Sequence, residues 1–158
     1  MEMNKRETKV TWLDVILALL AGTVIVAGIL CIAQTIWSGY HFLDDHELFR
    51  IEQSANQGQP LLTTVKAWIL NDLRVRYRPL YWTERVTVGY LFGSNLTAWN
   101  IWTAVKGVFA FALLYLTARF LKNTRLISFV FPMIIMLGAQ FTPWYRSANQ
   151  ESTGLLLC

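Results

Sequence analysis

The sequence predicts an all-α, polytopic integral membrane protein, and three observations carry that reading. Hydrophobic residues make up 54% of the 158 residues and charged residues only 15%, to the apolar side of an ordinary soluble domain. Residues 13–37 hold no charged side chain after Asp14, and about 20 helical residues rising 1.5 Å each cross the ~30 Å hydrocarbon layer. Two further apolar runs, 97–121 and 126–142, flank a short turn that carries Lys122 and Arg125.

Taken in order, residues 1–12 form a basic tail with Lys5, Arg6 and Lys9, and 13–37 is the first span. A cleavable signal would also have a basic start, but its apolar core runs only about 7–15 residues, so the run is read as a retained helix. The positive-inside rule places the tail and the turn 122–125 in the cytoplasm. The long loop 38–96 then lies outside, despite Arg50, Lys66, Arg74, Arg76, Arg78 and Arg85, because the rule counts short loops.

Within that loop, 46–56 lacks Gly and Pro and reads as a helix. Gly58-Gln59-Pro60 breaks it, and 61–75 is a second helical candidate. Residues 80–92 mix apolar side chains with Glu84 and Arg85; too short and charged to span, they read as an interfacial helix with Tyr81 and Trp82 in the headgroup belt. Trp99, Trp102 and Trp144 are read as belt residues too. The second span, 97–121, contains Lys106; the third is 126–142; 143–152 is a second outside loop; and 153–158 begins a fourth apolar run. Asn95-Leu96-Thr97 matches a glycosylation acceptor but abuts a span.

The net charge of +4 is scattered through loops, whereas nucleic acid would call for a clustered basic face. Cys31 lies inside the first span and Cys158 at the last position, a placement that suggests neither a disulfide nor a metal pair.

The chemistry-bearing stretch is Leu43-Asp44-Asp45-His46-Glu47, directly after the first span. Asp44 or Asp45 could cap the following helix, with Glu47 near the positive dipole end. Alternatively, adjacent carboxylates beside a lipid interface raise one another's pKa and supply a general base. His46 does not make a zinc site of the group, because consecutive residues cannot converge tetrahedrally. No metal and no cofactor are expected. Arg78, followed by Pro79-Leu80-Tyr81-Trp82, and Arg146, in Pro143-Trp144-Tyr145-Arg146, fall on the same outer side. Either could offset the charge of a phosphate leaving group or simply contact lipid headgroups.

The order of these pieces, with Leu43-Asp44-Asp45 opening the loop and Arg78-Pro79-Leu80-Tyr81-Trp82 and Tyr90-Leu91-Phe92-Gly93 preceding the second span, resembles the N-terminal part of GT-C glycosyltransferases. These multi-span enzymes, related to protein O-mannosyltransferases and lipid A aminoarabinose transferase, take a sugar from a polyprenyl-phosphate carrier. The resemblance implies that Asp44 and Asp45 are the catalytic acidic pair, that Arg78 and Arg146 bind the donor phosphate, and that Glu151 is a further acidic site residue. It also implies membrane lipid and a polyprenyl-phosphate sugar as partners, no nucleic acid, and a bacterial inner membrane with a cytoplasmic N-terminus. Family members have many more spans, so this chain is expected to be an N-terminal fragment or short relative, inactive by itself. The competing reading is a non-enzymatic small membrane protein, an accessory subunit or a flippase or transport partner. A channel or transporter would call for ionisable residues within spans, of which Lys106 is the example.

Overall fold

The computed structural model describes residues 10–32, 46–73 and 76–137. Among them every regular element is a helix: α1 (Trp12–Ile32), α2 (His46–Asn56), α3 (Leu61–Asp72), α4 (Pro79–Phe92), α5 (Leu96–Phe120) and α6 (Arg125–Leu137).

Local chemistry accounts for the boundaries. Thr11 and Asp14 form a reciprocal cap on α1: the Thr11 N–H donates to Asp14 Oδ2 at 2.9 Å, and the Asp14 N–H donates to Thr11 Oγ at 3.4 Å. Gly58, with φ +71°, turns the chain after α2. Extended Pro60 precedes α3, and Pro79 opens α4 in the first turn, where its missing donor is not needed. Gly93, with φ +56°, closes α4. The Asn95 side chain then accepts from the Ala98 N–H at 3.2 Å and caps α5. Asn95, matched in sequence to a glycosylation acceptor, therefore has a structural use as a cap.

Two helices, α1 and α5, are long and apolar enough to cross a membrane. Of the expected third span, 126–142, the described residues form α6, an apolar helix of 13 residues that is shorter than a span; residues 138–142, and the expected start of a fourth run, lie outside the described residues. Helix α5 packs against both α1 and α6. Ala18, Val26, Leu30, Ala110, Phe111, Tyr115 and Met136 form the buried seam. Gly22 allows close approach, since a Cβ there would stand 3.3 Å from Phe111. Much of the apolar surface faces outward: Trp12, Leu20, Val24 and Ile32 are between 61% and 85% exposed, an arrangement suited to lipid rather than water.

The second layer is α2, α3 and α4. Ile51, Val65 and Val86 make its centre, with Trp68 packed against them. Gly89 permits the α2–α4 contact, because a Cβ there would fall 2.5 Å from Ile51 Cγ2. Trp68 stacks on Trp82 at 4.7 Å. Trp82 is only 3% exposed, so the headgroup-belt expectation does not hold for it: its ring is spent joining α3 to α4. Trp99 is likewise buried, beside Leu48 and Val88, where it fastens the layer to the first turn of α5.

Candidate functional site

At the junction of α2, α3, α4 and α5, two carboxylates and two guanidiniums are interleaved with aromatic rings. Glu47, in the first turn of α2, pairs with Arg85 of α4 at 2.9 Å, and the Arg85 side chain is only 2% exposed. Helix α4 carries Arg85 one turn beyond Tyr81, and the guanidinium lies 5.5 Å from the Tyr81 ring centre and 5.9 Å from that of Trp99. The Trp99 indole donates to the Gly93 carbonyl at 3.0 Å, which holds the ring against the α4–α5 turn.

Arg78 stands just before α4. Its Nε and Nη2 donate to the two oxygens of Asp72, each at 2.9 Å, the two-pronged geometry that suits guanidinium and carboxylate. Its guanidinium also lies 4.9 Å from the Tyr81 ring centre and 5.7 Å from that of Trp82. The Arg78 guanidinium holds the Asp72 carboxyl below the usual carboxylate range; burial opposes the shift, and the Trp82 indole adds to it. A donor phosphate would have to compete with Asp72 for this fork.

Of the residues singled out in the sequence, Arg78 is thus placed in an aromatic, charge-balanced cluster. Asp44, Asp45, Arg146 and Glu151 lie outside the described residues. Asp44 and Asp45 immediately precede His46, the first residue of α2. Glu47 itself serves as the ion-pair partner of Arg85, a use that neither the capping reading nor the catalytic reading of the acidic stretch anticipated.

A second ionic group lies deeper. Lys106 Nζ donates to Glu84 Oε1 at 2.8 Å, and the Trp102 indole donates to the same oxygen at 2.7 Å. Lys106 is ten residues into α5, about 15 Å along a straight helix. The Gly22–Phe111 contact lies on one side of that level along α5, and Leu30 with Ile101 on the other. The lysine within the apolar run of α5 is therefore neutralised by a carboxylate brought from α4. Between α1 and α5, an apolar groove of about 490 Å³ runs along Val26, Leu30, Ile101 and Val105, with buried Asn100 in its wall.

A third group sits at the opposite end of α5. The Asp14 carboxylate is fully buried. It accepts from the Thr11 N–H and hydroxyl at 2.9 and 2.7 Å, from Arg125 Nε at 3.0 Å and from the Tyr115 hydroxyl at 3.3 Å, and it pairs with Arg119 Nε at 3.3 Å. In the sequence Asp14 reads only as the edge of an apolar run. The available signal was Thr11-x-x-Asp14 together with basic residues flanking the other two runs.

Among the described residues no group of three His, Cys, Asp or Glu side chains converges in a way that could hold a metal ion. Comparison with family models, with curated proteins and with solved structures finds no match to this chain.

Proposed function

We propose that the chain is a membrane protein with a cytoplasmic N-terminus, and that it is the N-terminal part, or a short relative, of an inner-membrane glycosyltransferase. Its donor is a sugar on a polyprenyl phosphate and its acceptor lies outside the cytoplasm. Two apolar helices with outward-facing side chains and the basic α5–α6 turn support the membrane placement. The observation that carries the enzymatic reading is the Glu47–Arg85 pair: it anchors the first turn of α2 on the α4 layer, directly after the Asp44-Asp45 pair. A donor that cannot leave the leaflet requires its base at the outer end of a span, and the sequence puts the acidic pair between the first apolar run and α2.

The engagement of Arg78 by Asp72 favours a second reading, a non-enzymatic accessory subunit whose outer charges are structural. Asp44→Asn separates the two. Asn caps a helix about as well as Asp but cannot act as a base. In membranes carrying the full-length gene product, transfer of labelled sugar falls at least tenfold, within the ~10²–10⁴-fold contribution of a positioned base, while thermal stability is retained. Unchanged transfer by Asp44→Asn, or no transfer by the wild type, leaves the accessory reading.

A further inference from the structure

The tip that joins α5 to α6 combines three features that belong together only at a charged lipid surface. First, among the described residues its cations outnumber its carboxylates: Arg119, Lys122 and Arg125 lie at or beside the turn, and the one carboxylate there, Asp14, pairs with Arg119 and Arg125. Buried Arg119 is spent on Asp14 and on the Asn123 carbonyl. Arg125 reaches Asp14 with its Nε while its side chain stays 51% exposed, and Lys122 is exposed at the apex.

Second, the cations are bracketed by bare hydrocarbon. Phe120 and Leu121 are 80% and 69% exposed on one side of the turn, and Leu126 and Ile127 are 73% and 54% exposed on the other. A soluble anion or a nucleic acid has no use for those four side chains. A phospholipid does, because its phosphate lies at the level of the cations and its acyl chains lie directly beneath.

Third, the apex is held in one shape. The Lys122 N–H donates to the Arg119 carbonyl at 2.9 Å and the Asn123 N–H to the Ala118 carbonyl at 3.3 Å, while Asn123 Nδ2 donates to the Ala118 carbonyl at 3.1 Å. Lys122 adopts φ +64°, and it is the one non-glycine residue with positive φ among those described. A helix end of this kind ordinarily takes Gly, so a cation stands where local geometry prefers no side chain at all.

We infer that this tip is a docking surface for the headgroup of an anionic phospholipid in the leaflet it faces, with Lys122 and Arg125 as the phosphate contacts and the four flanking apolar side chains against its acyl chains. The inference rests on the membrane placement proposed above but not on the glycosyltransferase reading, since the tip lies at the other end of α5 from the α2–α4 layer.

The test is native mass spectrometry of the full chain in detergent micelles, titrated in parallel with phosphatidylglycerol and phosphatidylcholine of identical acyl chains. Wild type retains phosphatidylglycerol at least threefold more than phosphatidylcholine, and glycerol 3-phosphate in excess does not displace it. Lys122→Gly and Lys122→Asn both accept the positive φ, so each removes the charge without disturbing the turn. Both variants lose the preference by at least threefold while the melting temperature holds or rises. Equal retention of the two lipids by wild type overturns the proposal, as does displacement by glycerol 3-phosphate or a preference that survives in either folded variant. A chain that cannot be held in micelles at all refutes the membrane placement instead, and that result is distinguishable from loss of lipid preference.

Discussion

Replacing Asp14 by Asn should be among the most damaging single changes in the described part of the molecule, although it alters only one atom of the side chain. Asp14 is fully buried and Arg119 is 4% exposed. Asn keeps an oxygen to accept the Thr11 donors that cap α1, so the helix start survives. What disappears is the negative charge opposite a buried guanidinium. Removing one partner of a buried ion pair strands the other, at about 3–5 kcal/mol. Arg125, at 51% side-chain exposure, can turn to solvent and adds at most about 1 kcal/mol. The expected loss for Asp14→Asn is therefore about 3 kcal/mol, a large share of a typical net stability of about 5–15 kcal/mol. Asp14→Ala also forfeits the cap and should lose about 1 kcal/mol more.

The assay is reversible unfolding in mixed micelles by increasing SDS, followed by tryptophan fluorescence. Adding Arg119→Met to Asp14→Asn removes the stranded charge and should recover part of the loss, so the two substitutions are markedly non-additive. A loss below about 1 kcal/mol for Asp14→Asn, or strictly additive losses in the double variant, would refute the claim that a buried, mutually dependent pair ties α1 to α5.

Gly89→Ala drives a methyl to 2.5 Å from Ile51 Cγ2 and should cost about 1–3 kcal/mol by overpacking; the same denaturation assay should show a smaller penalty when Ile51→Ala is already present. Because Arg78 lowers the pKa of Asp72 in the folded state, the pair's contribution is fully present above the unfolded carboxylate value and is lost as pH falls through the folded value. Amide protection factors, the exchange rates taken relative to the intrinsic rate at each pH, should therefore fall in α3 and α4 beside their junction on acidification below about pH 4, and Asp72→Asn should abolish that acid dependence. With Cys31 and Cys158 replaced by Ser, an impermeant thiol reagent on intact cells should label a cysteine placed at Gln57 and not one at Asn123; the reverse pattern would invert the proposed topology.

Helix positions were legible in the sequence because their determinants are local. The uncharged run after Asp14, Gly58-Gln59-Pro60, Pro79 and the apolar run ending near Arg119 each act within a few residues, and α1 to α5 begin or end at them. The acidic stretch at Asp44 and Asp45 was likewise legible as a feature, being a cluster of charges directly after an apolar segment. The partners of the charges were not legible. Asp14 and Arg125 are separated by 111 positions, and Lys106 and Glu84 by 22; whether such groups meet depends on which helices pack and on the faces they turn to one another. The same reason misdirected the reading of Trp82. An aromatic residue near a span suits a headgroup belt by composition, yet the stacking of α3 on α4 buries it against Trp68. Sequence therefore determined where the helices lie and which residues carry charge. Only the tertiary packing decided that Glu47 holds Arg85, that Glu84 neutralises Lys106 and that Asp14 gathers α1, α5 and α6, because a buried charge takes its partner from whichever helix the packing brings within reach.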